Sequence, residues 1–570
     1  MSIRNAIISV SNKSNLSSLV GHMIFPYSPT IKSRFNIFST GGTYNYLKEK
    51  FPNSSVINEV STLTNFPEVL EGRVKTLHPN ILSGILCDKD NETHLNDMKK
   101  HNLQKIDLIV ANLYPFKDTV NSHKTHSEII DNIDIGGATM IRAAAKNYKD
   151  TCVIIDPSQY DEYIKRFVRN EITLDYKREL AATAFNHIAE YDRCISEYFN
   201  PSQKHYVFDK KRDLKYGMNP TNKNAFVCSD KNYELPFTVL NGNPGYINFL
   251  DAIGSWRLVN ELSAALDTPA CASFKHTIPA GVAIKTSEDG SICNVYKKTR
   301  NVDPLSSFGD FIAISGNVDM ECAEYIASVV SDGIVAESYD KDALEKLCKK
   351  KNGNFVVLQG HPVDFFEDCD EIKSMYGTTL IQKSEKGIFN EEKLTNIVTS
   401  TRRTSVQHLE DMIIASISIK YAQSNSIAFA YNGQLIGLGA GQQNRLDCIR
   451  LAGNKALIWW LRNSEPAKEL FNSKVDTSSI NGQARLSVFY DFLNNHINTD
   501  FKRSIQESMN SISMSSDGFI PFSDNIYEAH KYGVSHIVNP GGSKSDNDVI
   551  MECDKKGIVM FHTDQRLFFH

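Results

Sequence analysis

The run Ser273-Phe274-Lys275-His276-Thr277-Ile278-Pro279-Ala280-Gly281 sets an ammonium beside an imidazole. An imidazole titrates near neutral pH and can accept a proton, while an ammonium can stabilise a developing oxyanion. Neighbouring side chains on a regular strand point to opposite faces. Lys275 and His276 can therefore serve one ligand only where the strand ends, and Pro279 and Gly281 are the expected break. A surface lysine beside a core histidine would give the same letters, so the pair needs company.

Four segments nearer the N-terminus supply chemistry of another kind. Ser11-Asn12-Lys13 leaves a first apolar strand, and Ser39-Thr40-Gly41-Gly42 leaves a second and opens a helix. A glycine-rich turn at a helix N-terminus presents backbone N–H groups that suit phosphate. In Arg73-Val74-Lys75-Thr76 the two cations share one face of extended chain, a candidate phosphate clamp. Asn112-Leu113-Tyr114 follows a buried strand, where the Tyr114 hydroxyl can enter the cleft at the carboxyl edge of a sheet. Asp134-Ile135-Gly136-Gly137 opens a strong helix former in which Arg142 and Lys146 share a face, and Asp134 and Lys146 could exchange protons with an anionic ligand. Each segment also has a plain structural reading: a capped turn, a basic edge strand, an aromatic plug, a solvated helix face. Nearer the C-terminus, Gly437, Gly439 and Gly441 lack the dinucleotide spacing, yet with Arg445 they could form an anion nest.

The elements that must position these groups follow from periodicity. Short apolar runs at Ala6 to Val10, Ile37-Phe38, Leu108 to Ala111 and Cys152 to Ile155 alternate with helical patterns at Asn15 to His22, Tyr44 to Lys50 and Thr139 to Tyr148. That alternation predicts a parallel sheet in an α/β domain. A charged helical stretch runs from about Ser158 to Phe199, and a polar stretch over 200–233 is read as the linker between a domain at 1–199 and a region at 234–570. Asn432-Gly433 between two apolar runs predicts a type I′ hairpin. A short likeness between 330–335 and 515–520 suggests two related halves in the second region.

Bulk properties narrow the classes. The chain has 570 residues and a net charge of −5, which gives no global field for nucleic acid. No apolar run is long enough to span a bilayer, and the first residues lack a signal peptide's apolar centre. Eleven cysteines without a C-x-x-C pair argue for a reducing, cytoplasmic setting. A zinc-dependent deaminase would need H-x-E with P-C-x-x-C, which is absent, so no catalytic metal is expected.

Taken in order, these segments resemble one family, the bifunctional purine-biosynthesis proteins that join 5-aminoimidazole-4-carboxamide ribonucleotide (AICAR) formyltransferase to IMP cyclohydrolase. The resemblance rests on Gly72 to Pro79, Asp134 to Asn147, Leu240 to Asn248, Ser273 to Gly281, Ser306 to Asp310, Gly437 to Arg445 and the Arg566–His570 tail. It implies an α/β architecture: an N-terminal methylglyoxal-synthase-like cyclohydrolase domain, and a C-terminal formyltransferase region of two cytidine-deaminase-like halves without zinc. It implies 10-formyltetrahydrofolate as formyl donor and a homodimer with interfacial transferase sites.

Carried onto this sequence, the resemblance assigns the first nucleotide site to Ser11, Asn12, Lys13, Ser39, Thr40, Gly41, Gly42, Arg73, Lys75, Thr76 and Asn112, with Tyr114, Asp134 and Lys146 at the reacting atoms. It assigns AICAR to Lys215, Tyr216, Asn248, Gly309, Asp332, Asn425, Arg445 and Arg566, the folate to Leu446, Asp517, Gly541 and Gly542, and the transfer chemistry to Lys275 and His276. Asn12, Lys215, Thr221-Asn222 and Gly541 depart from the family's usual Asp, Arg, His-Gln and Ser. Two other classes fit parts of the pattern: a nucleotide-binding module without activity, and a zinc deaminase on a related fold.

Overall fold

The computed structural model of the protein describes residues 2–25, 33–67, 69–70, 74–122, 124–230, 233–475 and 482–570. They form two compact units, Met1–Tyr206 and Val207–His570.

In the first unit, β1 (Ser2–Val10), β2 (Ser33–Ser39), β3 (Ile57–Glu59), β4 (Leu108–Asn112) and β5 (Cys152–Ile154) make one sheet in the order β3-β2-β1-β4-β5. Every pairing is parallel. Ala6, Ile7 and Ile8 are all fully buried, as are Leu108 and Ile109. A strand covered on both faces needs consecutive apolar residues, and this is why the central strands read as unbroken runs. The ends of β1, β2 and β4 deliver Ser11, Thr40 and Tyr114 to the carboxyl edge, where open parallel sheets take ligands. The charged stretch over 158–199 is divided rather than continuous. Asn170 at φ 59° ends the helix Tyr160–Arg169, and the Thr173 side chain accepts from the Tyr176 N–H at 3.2 Å to start Leu174–Phe199.

The second unit begins inside the polar stretch read as a linker, where β6 (Phe208–Asp213) and β7 (Phe226–Asp230) pair antiparallel. Its main sheet holds β8 (Phe237–Asn241), β9 (Ala270–Lys275), β10 (Ile278–Ile284), β11 (Asp310–Val318), β12 (Ser331–Tyr339) and β13 (Val356–Gly360). A separate hairpin, β14 (Asp370–Met375) and β15 (Thr378–Lys383), stands apart. The main sheet continues with β16 (Ile427–Tyr431), β17 (Gln434–Gly439), β18 (Ile512–Ser516), β19 (Val534–Asn539) and β20 (Val559–His562). Its order is β20-β19-β18-β16-β17-β10-β9-β11-β12-β13-β8.

That order contains a repeat. β9 and β10 form a hairpin, β11 lies antiparallel to β9, and β12 and β13 follow in parallel. β16 to β20 do the same in the same sequence. The two halves meet edge to edge where β10 pairs antiparallel with β17. The likeness between 330–335 and 515–520 does not mark this repeat, because Ser331 opens β12 whereas Ser516 closes β18, and these strands hold different places in their halves. The equivalent points are the two hairpin turns, His276-Thr277 and Asn432-Gly433. The latter has φ 53° and 74°, the type I′ turn expected.

β9 and β16 run antiparallel, since each successive pair from β9 through β10 and β17 to β16 is antiparallel. The end of β9 and the start of β16 therefore share one edge of the sheet. The starts of β11 and β12 and the ends of β17, β18 and β19 lie on that edge too.

A stacked pair of histidines, one buried and one half-buried, ties the second half together. His408, on the helix Val406–Lys420, stacks on His536 of β19 with ring centroids 3.9 Å apart. The His536 Nε2 faces the Arg403 carbonyl at 3.1 Å, so that nitrogen carries the proton and donates. Burial, with His408 beside it, pushes the His536 pKa down to about 4. The unfolded chain therefore binds this proton more readily, and stability present above pH 6.5 is lost as pH falls towards 4. Between pH 7 and 5 the loss from this residue is about 2 kcal/mol, at roughly 1.4 kcal/mol per unit. Denaturant titrations at the two pH values should show it, and His536→Gln should flatten the difference; an unchanged slope in that variant would place the effect elsewhere.

Candidate active sites

The first site assembles at the carboxyl edge of the five-stranded sheet. The Asn112 side chain clamps the loop after β1: its Oδ1 accepts from the Ser11 N–H at 2.7 Å and the Asn12 N–H at 2.9 Å, and its Nδ2 donates to the Asn12 carbonyl at 3.3 Å. Lys13 reaches back to the Ser11 carbonyl at 3.5 Å. Ser39 is fully buried and its hydroxyl donates to the Ile8 carbonyl at 2.7 Å, so it joins β1 to β2 rather than offering itself to a ligand. Thr40 shares a 2.9 Å hydrogen bond with Ser9 and precedes the helix Gly41–Lys50. The first-turn amides of that helix, at Gly41 and Gly42, have no acceptor within the helix, which leaves them for an anion.

Three separate segments converge on this edge. A Cβ on Gly41 would lie 3.5 Å from Lys75 Nζ, and one on Gly136 would lie 2.6 Å from Thr76 Oγ1. A Cβ on Gly137 would lie 2.7 Å from Asp134 Oδ2, so only glycine lets the Asp134 carboxylate fold over the helix start. There Oδ1 accepts from the Gly137 N–H at 2.7 Å. Burial pushes the Asp134 carboxyl up, against the pull of the Gly137 and Tyr114 backbone N–H groups. Arg73 lies outside the described residues.

Lys146 is not brought to this group. The helix Gly136–Lys146 has 11 residues, and at ~1.5 Å per residue its ends stand ~15 Å apart. Lys146 is exposed in the last turn, at the edge of the sheet opposite to Asp134. A shared face with Arg142 was legible from the spacing; which end of the helix meets the ligand edge was not.

A cavity of about 590 Å³ takes Ser11, Asn12, Asn112 and Tyr114 from the candidate set and adds His187 and Tyr191 from the long helix Leu174–Phe199. Tyr191 accepts from the Asp134 N–H at 2.7 Å and donates to the Asn132 carbonyl at 3.2 Å, which fixes the backbone that carries the carboxylate. Nothing in the spacing of the sequence marked Tyr191.

In the second unit, the strand bearing Lys275 ends sooner than expected. His276 and Thr277 themselves form the turn, with φ 55° and 63°, while Pro279 and Gly281 flank a bulge inside β10. Lys275 is half-buried and donates from Nζ to the Phe308 carbonyl at 2.6 Å, which sets it beside Gly309. His276 is exposed at the tip of the hairpin. Beneath the turn, the helix Tyr246–Leu266 presents Asn248, whose side chain accepts from the Gly245 N–H, and one turn on Asp251, whose Oδ1 accepts from the Thr277 N–H at 2.7 Å. Asp332 pairs with Lys351 at 2.7 Å. Lys215 lies over the Tyr216 ring, with Nζ 5.8 Å from its centroid.

The loops in this first cluster rest on a buried network that the sequence did not reveal. Arg300 donates to Asp310 Oδ1 at 2.8 Å and to the Val330 carbonyl at 3.0 Å, and the Ser273 hydroxyl donates to Asp310 Oδ2 at 2.7 Å. It joins the end of β9 to the starts of β11 and β12.

A second cluster lies farther along the same edge. Arg445 pairs with Asp517 and donates to Asn425 Oδ1 at 3.1 Å. Asp517 is fully buried, and its Oδ2 also accepts from the Ser426 N–H at 2.9 Å. Its carboxylate therefore holds Arg445 in this structure. Leu446 is half-buried beside Arg445. At the C-terminus Leu567 is the buried residue, whereas Phe568 and Phe569 are exposed. Hydrogen bonds from the Leu567 N–H to the Asp517 carbonyl and from the Phe569 N–H to Ser424 Oγ pin the tail, and exposed Arg566 rests over the Phe568 ring. Gly541 and Gly542 both have positive φ, 71° and 89°, and a Cβ on Gly541 would meet His562 Nδ1 at 2.6 Å.

Two family descriptions match successive stretches of the chain. "MGS-like domain" covers residues 27–139, and "AICARFT/IMPCHase bienzyme" covers residues 144–455. Curated relatives match from end to end. "Bifunctional purine biosynthesis protein PurH" of Bacillus cytotoxicus is 34% identical over all of both chains. The proteins of that name from Persephonella marina and Clostridium acetobutylicum are 33% and 34% identical, also over the whole of each chain. The chain belongs to the AICARFT/IMPCHase bienzyme family.

It is a bifunctional enzyme of purine biosynthesis, an AICAR formyltransferase and IMP cyclohydrolase. Membership in the bienzyme family accounts for an MGS-like parallel sheet followed by a larger mixed sheet. Among the described residues no group of three or more His, Cys, Asp or Glu could hold a metal ion, and no helix is long and apolar enough to cross a membrane. The usual serine of the family at position 541 would place its Cβ against the His562 ring, and the left-handed backbone there also favours glycine.

Proposed function

We propose that the two reactions occupy the two units: ring closure over 1–199 and formyl transfer over 234–570. In the transferase, AICAR is held by Lys215, Tyr216, Asn248, Gly309 and Asp332 of one cluster and by Asn425, Arg445 and Arg566 of the other. The donor is 10-formyltetrahydrofolate, lying near Leu446, Gly541 and Gly542. The amine of AICAR attacks the formyl carbon while His276 removes an amine proton. Lys275 stabilises the oxyanion that forms, and the folate nitrogen leaves with a proton as the carbonyl is restored. The observation that carries this reading is the turn geometry, which puts His276 at the sheet edge next to Lys275, whose ammonium is anchored on the Phe308 carbonyl.

The two clusters sit at separate places along one sheet edge. Three strand spacings, about 14 Å, separate β9 from β16 before the Arg445 group is reached. A homodimer that sets the first cluster of one copy against the second cluster of the other unites them, and leaves exposed His276 inside the joint site. Eleven free cysteines fit a reducing cytoplasmic setting.

In the first unit, the phosphate of the formamido intermediate rests on the amides of Gly41 and Gly42 with Lys75 and Thr76. Asp134 takes a proton from the carboxamide nitrogen as it attacks the formyl carbon and returns it to the oxygen; the hydroxyl so formed leaves as water with the proton of the former formamido nitrogen as the ring C=N bond forms. Tyr114 and the amides near Gly136 face the changing oxygen.

Purified protein given AICAR and 10-formyltetrahydrofolate should form IMP. On dilution, formyl transfer should fall with dimer dissociation while ring closure of supplied intermediate holds its specific rate. Equal loss of both, or of neither across the dissociation range, would contradict a shared transferase site.

A further inference from the structure

The hairpin turn that carries His276 is built from the wrong residues. Type I′ turns need positive φ at both central positions and favour Asn-Gly. The equivalent turn in the second half is Asn432-Gly433, whereas this one is His276-Thr277. Threonine is β-branched, and a positive φ there is a true outlier. A residue held in such a region is strained and persists only where its surroundings impose it.

The imposing group is the carboxylate beneath. Asp251 is 6% exposed on the helix that precedes β9, and its Oδ1 accepts from the Thr277 N–H at 2.7 Å. Its counterpart, Asp411, stands on the helix that precedes β16, and accepts from the Asn432 N–H at 3.0 Å and the Gly433 N–H at 2.8 Å. Both halves thus tie the hairpin turn to an aspartate of the preceding helix. Only the first half combines that tie with a turn that glycine does not ease. Thr277 adds a second restraint, its hydroxyl donating to the His276 carbonyl at 2.6 Å.

We propose that Asp251 is the positioning residue for formyl transfer: it holds the left-handed His276-Thr277 turn and so aims the imidazole along the sheet edge. The proposal rests on the reading of His276 as the base. Asp251 touches neither substrate in this role; it acts through the turn.

The test compares Asp251→Ala, Asp251→Asn, Thr277→Gly and the double variant Asp251→Ala/Thr277→Gly in the full-length protein, with His276→Ala alongside. A misplaced group can cost up to about 100-fold, so Asp251→Ala should lower kcat for formyl transfer by roughly 10- to 100-fold with little change in KM for AICAR. Asp251→Asn keeps a carbonyl acceptor for the Thr277 N–H and should retain most activity. Thr277→Gly supplies the second half's own solution and should recover most of the loss in the double variant, a rescue that general destabilisation would not give. Asp251→Ala with wild-type transfer, a double variant no better than Asp251→Ala, or Asp251→Asn as impaired as Asp251→Ala would each overturn the proposal. His276→Ala with full transfer would instead overturn the reading beneath it.

Discussion

His276→Ala should lower formyl transfer by roughly 10²–10⁴-fold, the usual contribution of a positioned general base, and leave ring closure of supplied formamido intermediate untouched. The AICAR amine needs that help because its lone pair is delocalised into the ring, so attack and proton loss must coincide. In the structure the imidazole is exposed at the tip of a turn, and the neighbouring ammonium is already oriented by the Phe308 carbonyl. The variant should therefore keep its fold and its affinity for AICAR and lose kcat. The measurement is single-turnover formyl transfer followed by folate absorbance, with IMP formation from the formamido intermediate as the internal control. A parallel loss of both activities would refute separate sites, and full retention of transfer would remove His276 from the chemistry.

Asp134→Asn should have the reverse effect, abolishing most IMP formation so that the formamido intermediate accumulates while formyl transfer continues. A loss of roughly 10²-fold or more is expected for removing a proton-transfer group. Asparagine fits the space that Gly137 leaves and can still accept its N–H, so the helix start should survive. Burial raises the Asp134 carboxyl above the usual range. It therefore binds its proton at higher pH than an ordinary aspartate, which suits a group that must take a proton and return it. The acidic limb of the ring-closure pH profile should lie above that of an unperturbed carboxyl in the native enzyme and vanish in the variant. IMP formation at the native rate in Asp134→Asn would reassign the step.

The parallel sheet of the first unit was legible because consecutive apolar residues such as Ala6-Ile7-Ile8 have only one comfortable home, a strand covered on both faces. The hairpin at Asn432-Gly433 was legible for an equally local reason, the left-handed preference of those residues. The turn at His276-Thr277 was not, because its conformation is imposed from Asp251, on another element, against local preference. The same holds for Asp517. Its engagement comes from the long-range approach of Arg445, which neighbouring residues in sequence do not show. Lys146 shows a geometric limit: periodicity gives the face of a helix but not which of its ends meets the ligand edge of its own sheet.

The seam between β10 and β17 has a consequence for handling the enzyme. It makes the transferase a single ribbon of hydrogen bonds, with both halves borrowing their innermost border from each other. Produced as separate fragments, each half would uncover its innermost strand, Ile278–Ile284 or Gln434–Gly439, where Ala283 now meets Gln434, the kind of raw margin that recruits other chains into precipitate. The two halves repeat one topology, yet neither covers its inner strand without the other.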